Sequence, residues 1–215
     1  MKSYFVKTPE LLKRLFPKRI WAFPEEKNAI YFTFDDGPTP EVTPWVLKNL
    51  KKANAKATFF CIGKNIKKHP EIFKQLISEG HSFGNHTVNH LNGWKTGANK
   101  YLKDCFAFDE LLNYKKQKTN LDTRIFRPPY GKLTSKQAKA LQKNGYKIIM
   151  WDVLSADFDS RISKEKCLQN VLQNLQPGSI VVFHDSIKAY EKLRFVLPKV
   201  LTYIKANDWV CKKIS

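Results

Sequence analysis

Short apolar runs alternate with amphipathic stretches along most of this chain. The runs have the length of strands, and the stretches between them carry apolar residues at helical spacing, which favours a mostly parallel α/β architecture. The predicted strands are Ala29–Phe34, Ala57–Ile62, Ser82–Asn85, Arg124–Phe126, Tyr146–Val153, Ser179–Phe183 and Trp209–Lys213. The predicted helices are Glu41–Lys52, Glu71–Glu79, Lys100–Tyr114, Ser135–Asn144, Ser163–Leu175 and Leu193–Ala206.

Glycine and proline residues mark several of the helix ends. Gly80 and Gly145 follow two of the predicted helices, where glycine commonly ends a helix. Pro198 lies inside the last one and predicts a kink or a delayed start there, because proline lacks the N–H that an interior helical residue donates.

Polar residues gather where the predicted strands end. In (β/α) barrels the carboxyl ends of the strands form the rim that carries reactive groups. We therefore predict that titratable side chains from five strands meet in one site. These are Asp35 with Asp36, His86, Arg127, Asp152 and His184.

The paired aspartates and the histidine pair suggest a metal site. One Asp and two His bind a divalent metal and leave positions open for water, as hydrolytic metal sites require. The second carboxylate would then be available as a base. Two plainer readings remain: Asp35–Pro38 as a simple turn, and His86 and His90 as a structural pair four residues apart.

Composition and charge narrow the class of protein. The 215 residues include 38 Lys and Arg against 19 Asp and Glu, a formal net charge of +19. Only six of these cations are Arg, and no nucleic-acid-binding motif is present, so we expect no nucleic-acid partner. The four cysteines form no CxxC pair, and Cys61, inside an apolar run, is predicted to be a buried thiol. Two disulfides remain an alternative, although a domain of this size does not need them.

The first 28 residues are predicted to be a basic lead segment that packs on the barrel, followed by a catalytic domain over residues 29–215. The segment has no signal-peptide core, and no window of the chain is long enough to span a bilayer. We expect a cytoplasmic monomer, with export by another route left open.

Five motifs in order resemble those of the polysaccharide deacetylase family, also known as the NodB-homology domain or carbohydrate esterase family 4. The resemblance covers roughly Ala29 to the C-terminus. It rests on Thr33–Pro38, His86–His90, Arg127–Gly131, the stretch from Asp152 to Phe158, and Val182–His184.

The resemblance implies a fold and a set of roles. The fold is a distorted (β/α) barrel with about seven parallel strands, and the cofactor is a divalent metal, Zn²⁺ first, with Co²⁺, Ni²⁺ or Mn²⁺ as alternatives. Asp36, His86 and His90 would hold the metal, and Asp35 would be the base oriented by Arg127. The backbone N–H of Tyr130 would bind the oxyanion. His184 would be the general acid, tuned by Asp152.

Two positions depart from the family pattern. Phe158 stands where the family usually has Trp, and Val182 where it usually has Leu. The loss of an indole affects the fit of the substrate more than the chemistry, because no reacting group is missing.

The predicted function is a metal-dependent hydrolase that removes N-acetyl groups from N-acetylhexosamine-containing glycans or oligosaccharides. An alternative keeps the site and changes the substrate to a non-sugar amide or an O-acetyl ester. A non-catalytic carbohydrate-binding protein is a third possibility, and the complete set of reactive residues argues against it.

Overall fold

Nine short strands form one sheet within residues 4–112 and 124–215, the part of the chain that this computed structural model describes. The strands are β1 Arg19–Ile20, β2 Ala29–Asp35, β3 Thr58–Cys61, β4 Ser82–Asn85, β5 Ile125–Phe126, β6 Lys147–Ile149, β7 Val153–Leu154, β8 Ile180–His184 and β9 Val210–Cys211. Their order in the sheet is β1-β6-β5-β4-β3-β2-β8-β7, with β9 beside the start of β2. Every pairing between these strands is parallel.

Eight helices connect these strands in the same described residues. They are α1 Glu10–Leu15, α2 Val42–Lys52, α3 Gly63–Lys68, α4 Pro70–Ser78, α5 Ala98–Leu111, α6 Ser135–Lys143, α7 Lys164–Leu172 and α8 Ile187–Ala206. The sequence analysis missed α3 and began α8 too late, because α8 continues through Pro198. The predicted end of another helix, Tyr114, lies outside the described residues.

The sheet curls into the predicted distorted (β/α) barrel, and one wrong prediction shows how. The sequence analysis placed a single strand over Tyr146–Val153, but the chain leaves β6 after Ile149 and enters β7 at Val153. β6 pairs with β5 while β7 pairs with β8, so these few residues link the two edges of the curled sheet. The split, together with the added β1, gives nine strands instead of seven.

The lead segment takes part in the sheet. β1 extends it beside β6, and isolated antiparallel bridges join Lys7 to Val153 and Ala22 to Ser179. Leu12 packs against the core, whereas Leu11 is 71% exposed. The domain boundary at residue 28 stays a prediction.

The central strands are buried on both faces. All seven residues of β2 are buried, and the ring of Phe34 stacks on Phe59 at 5.0 Å and on Phe183 at 5.7 Å between centroids. Continuous apolar runs are the normal composition of parallel strands covered on both faces.

A bilayer-spanning helix is not found among residues 4–112 and 124–215.

Strand register brings distant residues to one rim. Asp35 at the end of β2 pairs with His184 at the end of β8. On the other side of the barrel Asn85 pairs with Phe126, so the residues that follow them, His86 and Arg127, are neighbours. Since all these strands are parallel, their carboxyl ends open on the same side.

Candidate active site

A pocket of about 410 Å³ lies at this rim. Its volume is within the range of small-molecule sites. The acidic and imidazole groups of Asp35, Asp36, His86, His90 and His184 line it. The rest of the wall is largely apolar and includes Pro128, Trp151, Leu154, Phe158 and Val182.

A larger groove of about 660 Å³ lies between the ends of α2 and α8 and beside β9. None of the residues predicted to be reactive lines it. The rim pocket is therefore the candidate active site, although it is smaller.

Asp36, His86 and His90 form a group that fits a metal ion. Their ligand atoms lie within 4.8 Å of one another, and no other such group of three or more occurs in the described part of the chain. The Oδ1 atom of Asp36 is 3.7 Å from Nε2 of His86 and 3.2 Å from Nε2 of His90. The sequence analysis predicted these three as the ligand set, and the structure brings them together.

Local backbone conformation directs these side chains. Asp36 and His90 have φ values of 84° and 53°, in the left-handed region that residues other than glycine rarely adopt. Such conformations cost energy and concentrate at functional sites. The turn after β2 and the turn after β4 both carry this strain.

The protonation of His86 suits a ligand. Its Nδ1 lies 2.8 Å from the backbone carbonyl oxygen of Arg127, so Nδ1–H donates there and Nε2 is left to face Asp36. Burial lowers the pKa of His86 to about 4, and the attraction of Asp35 only partly opposes this. A neutral imidazole held by a second hydrogen bond is the form in which histidine binds metals.

The carboxyl of Asp36 is held ionised. Burial raises its pKa, but the hydrogen bond from His90 and the charges of His184, His86 and His90 outweigh burial and lower it. Because Asp36 is an anion beside two imidazoles, the donor set fits a divalent cation of the zinc type.

Arg127 is fully buried and holds Asp35. Its Nη1 donates to Asp35 Oδ1 at 2.7 Å and to Thr33 Oγ1 at 2.7 Å. The guanidinium carbon also lies 4.1 Å from the ring centroid of Phe60. Burial lowers the pKa of Arg127, and the ion pair with Asp35 counters this. The predicted pairing of Arg127 with Asp35 is present in the structure.

His184 is held by Asp157 through two hydrogen bonds. Its Nδ1 is 2.7 Å from Asp157 Oδ1, and its backbone N–H donates to Asp157 Oδ2 at 2.8 Å. Burial lowers the pKa of His184. The charge and the hydrogen bond of Asp157 outweigh burial, with smaller contributions from Asp36 and Asp35, and raise this pKa to about 9.

The prediction that Asp152 is the partner of His184 is wrong. Asp152 is buried and its carboxylate accepts bonds from Lys7 at 2.6 Å, Lys13 at 2.7 Å and Ser179 at 2.7 Å. Asp152 lies just before β7 and its N–H donates to Ile180 at the start of β8, so it lies at the amino end of these strands, beside the lead segment, and not at the rim. Asp157 belongs to the same motif stretch, which is the signal that could have found it.

Tyr130 lies on a short 3₁₀ turn over Pro129–Gly131 and has a φ of 58°. Its side chain is 60% exposed, and its hydroxyl lies 3.1 Å from Nδ1 of His90. The residue therefore borders the metal-ligand group, as the predicted oxyanion role requires. That role stays a prediction.

The sequence analysis did not single out Asp185, which is fully buried behind the turn that carries Asp36. Asp185 accepts hydrogen bonds from the Gly37 N–H at 3.0 Å and from the Thr43 hydroxyl. Burial raises its pKa to about 7. A Cβ on Gly37 would lie 2.0 Å from Asp185 Oδ2, so only glycine fits there. The position of Asp185 directly after His184, a predicted site residue, was the signal that could have identified it.

Comparisons with known proteins point to one family. The family model described as polysaccharide deacetylase matches residues 23–149. A peptidoglycan-N-acetylglucosamine deacetylase of Bacillus cereus is 37% identical over 171 residues, which are 79% of this chain and 61% of that protein. A chitooligosaccharide deacetylase of Azorhizobium caulinodans is 35% identical over 162 residues, 75% of each chain.

A solved structure is also similar over nearly the whole length. It is a peptidoglycan N-acetylglucosamine deacetylase in complex with 4-naphthalen-1-yl-N-oxidanyl-benzamide, with a TM-score of 0.85 and 31% identity. The match covers 96% of this chain and 95% of that one.

Proposed function

Because the chain belongs to the polysaccharide deacetylase family, we propose that it is a metal-dependent hydrolase of N-acetyl groups on N-acetylhexosamine-containing glycans or oligosaccharides. One observation carries the proposal. A metal-ligand group, a carboxylate held by arginine and an imidazole held by a carboxylate all border the same pocket.

Asp36, His86 and His90 are the residues that would hold the metal. A bound divalent cation supplies Lewis-acid activation of water and of the acetyl carbonyl. We expect Zn²⁺, with Co²⁺, Ni²⁺ or Mn²⁺ also acceptable to a carboxylate and two imidazoles.

In this proposal Asp35 removes a proton from the attacking water. The ion pair with Arg127 fixes the orientation of its carboxylate, and Arg127 is itself held by the Met150 carbonyl at 2.8 Å. A base held in one orientation loses less entropy on reaching the reactive geometry.

In this proposal His184 protonates the departing amine. An amide nitrogen leaves readily only when it receives a proton, and the Asp157 carboxylate keeps the imidazole charged at neutral pH. The backbone N–H of Tyr130 would donate to the developing oxyanion, and one well-placed donor of this kind contributes about 3 kcal/mol.

Acetate release tests the proposal. The protein is assayed on N-acetylglucosamine oligomers, peptidoglycan, simple acetamides and O-acetyl esters, with and without a chelator. We expect release from the amino-sugar substrates, its loss on chelation and its recovery when metal is returned. A rate that does not respond to chelation contradicts the proposed mechanism, and activity confined to simple amides or esters moves the substrate class to the alternative.

Two variants separate the base from the metal ligands. Asp35→Asn is expected to bind metal as the wild type does and to lose turnover. His86→Ala is expected to lose both, because it removes a ligand. Metal content is measured beside the rate, and an active Asp35→Asn enzyme would refute the assignment of Asp35 as the base.

A further inference from the structure

One wall of the active-site pocket comes from the lead segment. Tyr4 lines the pocket together with Phe158 and His184. It lies about thirty residues before the first motif and outside the residues 23–149 that match the family model. No motif of the sequence analysis pointed to it.

Several contacts hold Tyr4 in this place. Its hydroxyl donates to Asp159 Oδ2 at 2.6 Å. Arg161 donates to the same carboxylate, from Nε to Oδ1 at 2.8 Å and from Nη2 to Oδ2 at 2.9 Å. Two residues later in the chain, the carbonyl of Val6 accepts a hydrogen bond from the Leu154 N–H at 2.8 Å. The backbone on one side and the hydroxyl on the other therefore fix the ring at the pocket.

The Tyr4 ring extends an aromatic surface that begins at the proposed acid. The ring of Phe158 lies 5.0 Å from that of His184 in an edge-to-face arrangement, and the ring of Tyr4 lies 5.6 Å from Phe158, also edge-to-face. Tyr4 and Phe158 are only partly buried, so they present apolar area to the pocket. Together they form one aromatic wall of the pocket.

We propose that Tyr4 is a specificity-determining residue that packs against the apolar C–H face of the substrate's hexosamine ring, on the His184 side of the pocket. This rests on the proposed function, because the substrate is the glycan of that reaction. An aromatic side chain offers a sugar ring a large flat area at a low cost in conformational entropy. A residue that contacts the sugar away from the acetyl group affects substrate binding more than the chemical step.

Paired variants test this role in the full-length chain with an N-acetylglucosamine tetramer. Tyr4→Ala is expected to raise KM by about five- to tenfold with kcat within about threefold of the wild type, as for loss of one aromatic contact. Tyr4→Phe keeps the ring and loses only the bond to Asp159, so its KM should stay within about twofold. The alkaline limb of the pH–rate profile should not move in either variant.

Lys13→Ala is the matched control. Lys13 ties the lead segment to Asp152 at 2.7 Å but does not line the pocket, so its loss should lower thermal stability and leave KM unchanged. Should Tyr4→Ala fail to fold, Tyr4→Leu replaces it under the same criterion.

Three results overturn the inference. The first is a KM for Tyr4→Ala within twofold of the wild type. The second is an equal rise in KM for Lys13→Ala or Tyr4→Phe, since the cause would then be a loosened segment or the lost hydrogen bond. The third is a fall in kcat with a shifted alkaline limb, which would mean that Tyr4 acts on His184. If the wild type releases no acetate from any glycan, the proposed function fails, and this inference fails with it.

Discussion

Replacing Asp157 with Asn isolates the group that sets the charge of His184. Asn has nearly the same shape as Asp and keeps an oxygen that can accept from the His184 backbone N–H, so the fold should change little. What it removes is the negative charge 2.7 Å from Nδ1 of the ring. The variant therefore tests whether the proton on His184 depends on Asp157.

The size of the effect follows from the pKa. With Asp157 present, the pKa of His184 is raised from 6.5 to about 9, although burial acts in the opposite direction. At a pH of about 7.5 this leaves the ring roughly 97% protonated. Without the carboxylate, burial is the largest remaining influence and lowers the pKa. If the pKa returns to its ordinary value of about 6.5, about a tenth of the ring is charged at that pH. A general acid present at a tenth of its former level lowers kcat/KM by about tenfold or more.

The assay is the pH dependence of acetate release at low substrate concentration, which reports the essential acid of the free enzyme. A bound metal cation repels the charged ring, so the alkaline limb of the wild type should lie below 9. We expect Asp157→Asn to move this limb further down, and activity to persist only in acid. Asp152→Asn is the matched control, because Asp152 is an equally buried carboxylate of the same motif that contacts Lys7 and Lys13 instead.

The two variants give opposite patterns if the structure is right. Asp152→Asn should lower the free energy of unfolding and leave the alkaline limb in place. An unchanged limb in Asp157→Asn, with metal content and thermal stability like those of the wild type, would refute the reasoning. A shift of the alkaline limb in Asp152→Asn would support Asp152 as the partner of His184, as the sequence analysis predicted.

Three further predictions concern buried polar groups. Arg127→Met leaves Asp35 without its cation, so urea denaturation should show a loss of about 3–5 kcal/mol and acetate release should fall to background; near-normal stability would contradict this. Asp185→Ala removes the acceptor of the Gly37 N–H and should weaken zinc binding by about tenfold in calorimetric titration, with an unchanged Kd as the contrary result. Burial lowers the pKa of His81 to about 4, so its proton favours the unfolded chain, and stability present above pH 6.5 is lost as the pH falls toward 4. In His81→Gln that acid-side loss should shrink by an amount on the order of 2 kcal/mol, measured by urea denaturation at each pH.

Local pattern was sufficient for most of the barrel. Apolar runs bounded by glycine, proline or acidic residues located β2, β3, β4 and β8 to within a residue or two. The apolar pattern gave a wrong prediction at the place where the two edges of the sheet meet, between β6 and β7. Apart from Lys147 and Asp152 the run Tyr146–Val153 is apolar, and nothing in its sequence shows that two different neighbours pair with its halves. The short helix α3 was also missed, because six residues carry too little periodicity.

The candidate site divides in the same way. Asp36, His86 and His90 were predictable because each directly follows a strand, or lies in the turn after one, and parallel strands open on one rim. The partner of His184 was not, because Asp152 and Asp157 are both plausible carboxylates of one motif and only the path of the chain separates them. Asp185 and Tyr4 were missed for a related reason: their significance lies in what they contact.

By itself, the sequence determined the residue types at the ends of the strands, the parallel alternation and hence the class of chemistry that can assemble there. These depend on local spacing, which the chain carries in every conformation. Only the tertiary structure decided which carboxylate charges His184 and that the lead segment reaches the pocket. Those outcomes depend on closing the sheet, which brings together groups that are 27 residues apart in the pair Asp157–His184 and 155 apart in the pair Tyr4–Asp159. Closure also fixes the burial and the neighbouring charges that set the pKa of each group.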